Sequence, residues 1–327
     1  MKILVVGGAG YIGSHVAKEF KLAGYQVAVF DNLTTGSRDN LVAGIDFILG
    51  DVTNYQQIRQ ALVGCDAVIY LAALKAAGES MKFPEKYSFN NIYGAINLLN
   101  AMAEVGVGRI VFSSSAAVYG QPQYLPLDEN HPTEPINFYG FTKLEIERIL
   151  KWYDQLKGIK FAALRYFNAV GYDVAQELAG LEKNPQNLLP IVFEAVFGQR
   201  EQVEIFGDDY DTPDGTCIRD YIHVSDLASA HLSALNYLAD KQESLTVNLG
   251  TAKGISVKEM IEAVKKISGI DFKVIISGRR PGDPPRLLAD SGLALKLLRW
   301  QARHSDLETI IKTTLAAYQK KYGQSKN

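Results

Sequence analysis

Tyr139 and Lys143 have the side-chain types and the spacing of an acid–base pair. They lie four residues apart in the segment 138–153, which the sequence predicts as a helix, so their side chains point the same way. A phenol with a pKa of about 10 is protonated at pH 7. A neighbouring ammonium and a positively charged nicotinamide ring would lower that pKa, and Tyr139 could then take a proton from a substrate hydroxyl. Taken alone, this spacing is more often a surface coincidence.

Ser115 is a second candidate for the same hydroxyl. It follows a predicted strand, 109–112, in a run of three serines. Its side chain could hydrogen-bond the hydroxyl that Tyr139 deprotonates. The alternative is that it is one more polar residue in a serine turn.

A glycine turn near the start of the chain predicts a dinucleotide site. Gly7, Gly10 and Gly13 separate a predicted strand, 3–6, from a predicted helix, 14–22. Glycines there allow a tight turn and a close approach of backbone to a pyrophosphate at the helix N-terminus. Asp31 ends the next predicted strand, where an acid binds a ribose 2′-hydroxyl and repels a 2′-phosphate, so NAD is favoured over NADP. The alternative is an ordinary glycine turn with an exposed acid.

The elements that would position these residues alternate between strand and helix. Alternation of this kind predicts an α/β fold with a doubly wound parallel Rossmann sheet, whose ligands bind at the carboxyl ends of the strands. Beyond residue 170 the alternation weakens. We therefore expect an NAD-binding domain at 1–170 and a smaller C-terminal α/β substrate lobe at 171–327, with room for chain crossings between them. The predicted strands are 3–6, 25–30, 45–49, 67–71, 109–112 and 161–165, and the predicted helices include 55–62, 84–105, 138–153, 191–197, 227–238 and 257–267.

Composition excludes several classes of function. The chain has 327 residues and a net charge of −2, which gives no electrostatic footprint for nucleic acid or an anionic membrane. No apolar run approaches the roughly 20 residues of a membrane span. Cys65 and Cys217 have neither a disulfide framework nor metal-ligand spacing, so we expect no metal site and a reducing, cytoplasmic location.

Longer motifs resemble the extended short-chain dehydrogenase/reductase superfamily and, within it, the UDP-glucose 4-epimerases. The resemblance covers almost the whole chain, and the 206–231 run is its most specific part because dehydrogenases in general lack it. The motifs are GGAGYIG (7–13), LKAAGES (74–80), FSSSAAVYG (112–120), YGFTKLEIE (139–147), LRYFNAVG (164–171), FGDDYDTPDGTCIRDYIHVSDLASAH (206–231) and RRPGDPPRL (279–287).

The resemblance implies roles for individual residues. The catalytic set would be Ser115, Tyr139 and Lys143, with Lys143 also binding the nicotinamide ribose. Residues implied for the cofactor are Gly7, Gly10, Tyr11, Ile12 and Gly13 at the pyrophosphate, Asp31 and Asn32 at the adenosine ribose, Asp51 and Val52 at the adenine, and Lys75 and Asn91 near the riboses and phosphates. Residues implied for the UDP-sugar are Asn168, Asn187, Leu188, Arg219, Arg280, Asp283 and Leu287.

The resemblance also implies a reaction. Tyr139 would take the proton of the sugar 4′-hydroxyl while C4′ gives a hydride to NAD. The 4-ketose would then turn over and regain the hydride on its other face, which interconverts UDP-galactose and UDP-glucose without net oxidation. Members of the family commonly dimerise by pairing two helices per subunit, here 87–105 and 139–153. The apolar stripe of the first helix could equally face the sheet.

Three positions depart from the family pattern. Tyr70 stands where His is usual, and Ala117 stands where Thr is frequent. Leu287 stands where some members have a bulky Tyr that closes the sugar pocket. A leucine leaves room around C2 of the sugar, so we expect UDP-GlcNAc and UDP-GalNAc to be interconverted as well.

Three other functions share parts of this pattern. A sugar-nucleotide 4,6-dehydratase needs an acidic pair beside the serine, whereas Ala116 and Ala117 follow Ser115 here. A non-catalytic NAD-binding redox sensor keeps the glycine loop but typically loses the Tyr/Lys pair, which this chain has. A UDP-uronate decarboxylase or epimerase would need a further cation for the carboxylate, and the sequence neither identifies nor excludes one.

Overall fold

A parallel sheet of seven strands forms the centre of the protein, described here from a computed structural model that covers residues 1–178, 180–182, 185–280 and 282–323. The strand order is β10-β6-β5-β4-β1-β2-β3. The strands are β1 (Lys2–Val6), β2 (Gln26–Asp31), β3 (Asp46–Leu49), β4 (Ala67–Tyr70), β5 (Arg109–Ser113), β6 (Lys160–Tyr166), β7 (Asn168–Val170), β8 (Gln202–Phe206), β9 (Ile218–His223), β10 (Leu245–Leu249), β11 (Gly254–Ser256), β12 (Lys273–Ser277) and β13 (Arg286–Leu287). The α-helices are α1 (Tyr11–Leu22), α2 (Tyr55–Leu62), α3 (Ala77–Ser80), α4 (Pro84–Tyr87), α5 (Gly94–Val105), α6 (Phe138–Lys157), α7 (Leu188–Val196), α8 (Val224–Lys241), α9 (Val257–Ser268), α10 (Gly292–Leu298) and α11 (Leu307–Tyr322).

Helices cover both faces of the main sheet. Ile3 and Val5 of β1 face one buried cluster, which includes α1, α8 and α10. Leu4 and Val6 face the opposite cluster, which includes α2, α5 and α6. Burial on both faces explains why these strands read as continuous apolar runs in the sequence. The six strands predicted for this sheet are confirmed, with ends that differ by at most one residue.

The predicted helix 84–105 is divided in three. A π-helical segment, Ser88–Tyr93, separates α4 from α5. This extra turn places Asn91 inside the protein, fully buried. The apolar stripe of α5, with Ala95, Leu99 and Met102, packs against the sheet. The helix-period pattern was correct, but it carried no sign of the local change in hydrogen bonding.

The second half of the chain builds a smaller lobe and also returns to the main sheet. β7, β9, β11 and β13 form a second sheet, and β8 pairs with β12. However, α8 packs in the main core and β10 pairs with β6. The sequence pattern did not predict the seventh strand, because β10 follows α8 far from its sheet neighbour in the chain. The division at residue 170 stays a prediction.

No helix in the described ranges is both long enough and apolar enough to cross a lipid bilayer.

Candidate active site

The glycine turn has the geometry of a phosphate cradle. Gly7 has φ +82°, and a β-carbon there would lie 2.5 Å from the amide nitrogen of Ala72. A β-carbon at Gly13 would lie 2.2 Å from the Gly7 carbonyl oxygen. At Gly10, the N-cap of α1, a β-carbon would meet nothing closer than 3.4 Å. Two glycines thus allow the turn itself, and the third leaves bare backbone at the helix N-terminus, which fits a pyrophosphate.

Tyr11 and Ile12 begin α1 directly after this cradle. The Tyr11 hydroxyl donates to the Gly171 carbonyl, so its side chain joins α1 to the second half of the chain. Ile12 packs on the main core. Both side chains therefore have partners within the protein.

Polar side chains at the ends of β2 and β3 come together. The Asp31 carboxylate accepts hydrogen bonds from the Ala9 and Leu33 amides, at 3.0 and 2.7 Å. Asn32 donates to Asp51 over 2.9 Å. Burial raises the pKa of Asp51, but hydrogen bonds from Thr53 and Asn32 outweigh it and hold the pKa below its usual value. These hydrogen bonds hold both carboxylates at the strand ends, where the sequence predicts the ribose and adenine of the cofactor.

Val52 lies beside them and is buried against Gly94 at the start of α5.

Lys75 and Asn91 already have protein partners. The Lys75 ammonium forms an ion pair with Glu182, which sequence analysis did not predict because the two are far apart in the chain. Asn91 accepts from the Leu74 amide and donates to the Leu74 carbonyl and to the Thr142 hydroxyl. Asn91 therefore ties the chain after β4 to α6. A contact of either residue with NAD stays a prediction.

The predicted catalytic residues meet at one place. Tyr139 and Lys143 lie in the first two turns of α6, and the Lys143 ammonium is 5.9 Å from the centre of the Tyr139 ring. It donates to the Ser113 carbonyl at the end of β5, over 2.7 Å. Ser115, two residues later, interacts with the Tyr139 phenol. Tyr139 is itself positioned by its amide, which donates to the Ser80 hydroxyl of α3.

Burial dominates the electrostatics of this pair. Removal from water raises the pKa of the Tyr139 phenol above its usual value, and Ser115 offsets this only in part. The same burial lowers the pKa of Lys143 from 10.5 to about 7, while Glu147 on the next turn of α6 opposes the change. The protein alone therefore keeps Tyr139 as a phenol. A positive charge beside the ring is needed to make it a base at neutral pH.

The predicted UDP-sugar residues form a second group on β9 and the chain before β13. Arg219 on β9 pairs with Asp283 over 3.1 Å. Arg280 stacks on the Phe206 ring at 3.8 Å, and its carbonyl accepts from the Asp283 amide. Asn168 on β7 donates to the Asp220 carbonyl of β9. The structure thus brings both arginines to one region, as two fork-shaped cations for a pyrophosphate require.

Asn187 and Leu188 stand at the start of α7. Asn187 is the N-cap residue, and its side chain makes no capping hydrogen bond. Leu188 packs on the core of the second lobe.

Leu287 lies between the group of residues around Tyr139 and the group around Arg219. In the register of β13 with β9 it stands opposite Arg219. Its side chain packs against an apolar cluster that includes Val118 and Leu144, which are close in sequence to Ser115 and Lys143. Leu287 is only partly buried. It therefore lies between the predicted phosphate-binding arginine and the residues that flank the predicted catalytic set.

A cavity of about 520 Å³ lies elsewhere, between α1 and α8. Its described lining includes His15, Lys18, Asp226 and Arg303, and does not include any of the predicted site residues. Among described residues, no group of three or more His, Cys, Asp or Glu is arranged to hold a metal. Cys65 and Cys217 are both buried and free.

Comparison with known proteins identifies the family. The model of the NAD dependent epimerase/dehydratase family matches residues 3–250. The chain belongs to this family. The UDP-glucose 4-epimerase of Halalkalibacterium halodurans is 44% identical over 313 residues, 95% of this chain and 93% of that protein.

Solved structures agree with this assignment. The UDP-glucose 4-epimerase from Brucella ovis in complex with NAD matches with a TM-score of 0.94 at 42% identity, over 97% of this chain and 98% of that one. The UDP-Glc/GlcNAc 4-epimerase from Campylobacter jejuni matches with a TM-score of 0.85 at 40% identity, over 98% and 99%. The predicted Rossmann fold and NAD as the epimerase/dehydratase cofactor are confirmed.

The buried ammonium makes the stability of this epimerase/dehydratase family member depend on pH. Between about pH 7 and 10.5 the unfolded chain keeps a proton on Lys143 that the folded protein has lost. Stability therefore rises with pH over this interval, by up to about 1.4 kcal/mol per pH unit from this group. We expect wild type to gain stability relative to Lys143→Met between pH 7 and pH 9, in unfolding measurements on NAD-free protein.

Lys151→Met is the matched control for that measurement, because Lys151 is exposed on the same helix. The difference in free energy of unfolding between Lys151→Met and wild type should not change over this pH range. An equal pH dependence in the Lys143→Met and wild-type proteins would contradict the lowered pKa.

Proposed function

We propose that this enzyme interconverts UDP-glucose and UDP-galactose by inverting the configuration at C4′. The observation that carries the proposal is the place of Leu287, which stands opposite Arg219 in the sheet register and packs beside the residues that flank Ser115 and Lys143. A sugar there would have its phosphates toward the arginines and its 4′-hydroxyl toward Tyr139. The 4-epimerase relatives at 40–44% identity support the same reaction.

Tyr139 is proposed as the acid–base catalyst. It takes the proton of the 4′-hydroxyl and later returns one, and Ser115 hydrogen-bonds the same oxygen. Bound NAD supplies the hydride acceptor and then the hydride donor at C4′. Lys143 as an ammonium stabilises the phenolate and would hold the nicotinamide ribose. Since proton and hydride both return, the reaction needs no other reactant.

The remaining site residues are proposed to hold the two nucleotides. Arg219 and Arg280 would grip the UDP pyrophosphate and Asp283 the uridine ribose, so that only the sugar turns over. The proposed cofactor contacts are those of Gly7, Gly10, Tyr11, Ile12, Gly13, Asp31, Asn32, Asp51, Val52, Lys75 and Asn91. The other proposed substrate contacts are those of Asn168, Asn187 and Leu188.

A dehydratase is disfavoured by the local structure. Ala116 and Val118 belong to a short 3-10 helix directly after Ser115, and both are buried. Neither these residues nor Ala117 can transfer a proton to a leaving hydroxyl.

The purified protein should convert UDP-galactose to UDP-glucose with no NAD added, because hydride returns to the substrate. Tyr139→Phe should lose turnover, by about 100-fold or more, as expected for removal of an acid–base catalyst. Proton NMR of the sugar gives turnover, and release of NAD by denaturation gives its content. Tyr237→Phe on α8, whose hydroxyl bonds Glu243 at the surface, is the control. No conversion by wild type, even with added NAD, would refute the proposed function.

We further propose that N-acetylated UDP-sugars are substrates. Leu287 is only partly buried, and the UDP-Glc/GlcNAc 4-epimerase from Campylobacter jejuni is a near structural neighbour. Leu287→Tyr should lower turnover of UDP-GalNAc by about tenfold or more and leave UDP-galactose turnover largely unchanged, because added bulk is worth ~1–3 kcal/mol in discrimination. Leu287→Met, which conserves volume, should retain both. Undetectable UDP-GalNAc turnover by wild type that is active on UDP-galactose would contradict this.

A homodimer is also proposed, with α6 and the segment before α5 at its interface. Phe89 and Tyr93 stack on each other at 5.1 Å and are exposed, and Trp152 on α6 is 62% exposed. The Tyr153 hydroxyl, bonded to Asn100, holds α5 and α6 side by side. Exposed aromatic side chains on these two neighbouring segments support an interaction surface.

Trp152→Glu should therefore convert the homodimer to a monomer, because it places a charge in the proposed apolar interface. Analytical ultracentrifugation at micromolar concentration measures the mass. Leu22→Glu is the control, since Leu22 is 70% exposed on α1. A wild-type protein that sediments as one chain would exclude the homodimer.

A further inference from the structure

A buried ion pair lies directly beneath the catalytic residues. Arg165 of β6 makes two hydrogen bonds to the Glu147 carboxylate of α6, over 3.0 and 2.6 Å. The Arg165 and Glu147 residues are 6% and 1% exposed. Arg165 also donates to the Tyr119 hydroxyl over 3.0 Å. That hydroxyl in turn donates to Asn248 of β10.

Glu147 is connected to the catalytic residues in two ways. The Ser114 hydroxyl donates to Glu147 over 2.5 Å, and Ser114 lies between Ser113, whose carbonyl holds the Lys143 ammonium, and Ser115. Glu147 also lies one turn of α6 after Lys143, so its charge is close to the ammonium. Glu147 has no role predicted from the sequence, although its spacing from Lys143 could have suggested one.

Stability alone does not account for this arrangement. Desolvating a buried ion pair costs about as much as the attraction returns, and apolar residues of similar volume are often as stable or more so. The pair is instead positioned to act on its neighbours. It joins α6 to β6, and through Ser114 it fixes the turn that carries Ser115.

We propose that Glu147, held by Arg165, is a positioning residue for proton transfer at Tyr139. It fixes the Ser113–Ser115 turn through Ser114, and its negative charge favours the ammonium form of Lys143. Arg165 holds the carboxylate in place through two hydrogen bonds. This inference rests on the proposed 4-epimerase reaction, in which the Lys143 ammonium makes Tyr139 a stronger acid.

The other described groups around Lys143 include few charges that could shift its pKa. Tyr166 of β6 hydrogen-bonds Ser113 and interacts with Tyr139, and burial raises its pKa, so it is a neutral phenol. His231 of α8 bonds the Ser113 hydroxyl over 3.0 Å, and burial lowers its pKa to about 4, so it is neutral as well. On α6 the neighbours are Tyr139 and Glu147.

The other neighbours of Lys143 and its turn are on β5, β6 and the segment after β5. The Phe112 ring on β5 is uncharged and lies 4.8 Å from the ammonium. Tyr119, bonded to Arg165, is a neutral phenol, because burial raises its pKa to about 12. Arg165 on β6 is a cation, so Glu147 is the source of negative charge among these neighbours.

Glu147→Gln tests the proposal because it removes the charge while keeping the shape and an oxygen for Ser114. We expect the pKa of Lys143 to fall and the alkaline limb of the pH profile of kcat to move to lower pH. At a pH above the Lys143 pKa, kcat should fall about tenfold for each pH unit of that movement. KM for UDP-galactose should stay within about twofold, because the UDP grip is on another loop.

The control is Asp154→Asn. Asp154 on α6 pairs with Lys160 on β6 over 2.6 Å, so it joins the same two elements as Glu147 and Arg165 but far from Tyr139. It should leave the pH profile unchanged.

Two further measurements separate positioning from a purely structural role. The first is the titration of the Lys143 side chain by NMR of 13C-labelled lysine, assigned by the signal that Lys143→Met removes. This titration uses no substrate, so it tests the role of Glu147 independently of the proposed reaction. Turnover by wild type tests the proposed reaction separately. An unchanged Lys143 titration in Glu147→Gln would overturn the proposal.

The second is the double variant Glu147→Gln with Arg165→Met, which avoids an unpaired buried arginine. Its unfolding temperature should return toward that of wild type. Its kcat and its Lys143 pKa should stay as low as in Glu147→Gln. Recovery of both kcat and titration in the double variant would show that Glu147 serves only to pair Arg165, and would overturn the proposal.

Discussion

A buried ammonium at the end of β5 is the constraint on which the site depends. Lys143 is 3% exposed, and its hydrogen bond to the Ser113 carbonyl fixes where α6 must lie against the sheet. Because α6 also carries Tyr139, the same contact sets the distance between the base and the turn with Ser115. Apolar packing of α6 on the main core supplies the stability that an unfavourably buried charge requires.

Without a cofactor, the electrostatics of the site keep Tyr139 in its phenol form. Burial raises the pKa of Tyr139 and lowers that of Lys143 to about 7, which works against a phenolate. Acid–base chemistry therefore depends on a positive charge brought in with the cofactor. In the proposed reaction, proton transfer at Tyr139 would therefore require an occupied NAD site.

The loops of the second lobe are held to the sheet by a buried carboxylate. Asp220 on β9 accepts hydrogen bonds from the Thr251 and Ala252 amides and, across the lobe, from the Ala289 amide. Burial raises the pKa of Asp220, and these hydrogen bonds oppose that change. Leu127, in the loop before α6, completes the contact by bonding the chain at Leu288. These bonds bring the loop with Asp283 next to the loop that leads to Tyr139.

The sequence by itself determined the local elements of the site: the glycine turn, the acid that ends β2, and Tyr139 and Lys143 one helical turn apart. Each follows from spacing within about thirty residues, where backbone geometry fixes direction. Only the tertiary structure decided what meets across the chain, as with Arg165 and Glu147, Lys75 and Glu182, or Leu287 and Leu144. It also placed β10 in the main sheet and introduced the π-turn at Asn91. Such contacts depend on how whole elements pack, and local periodicity carries no information about that packing.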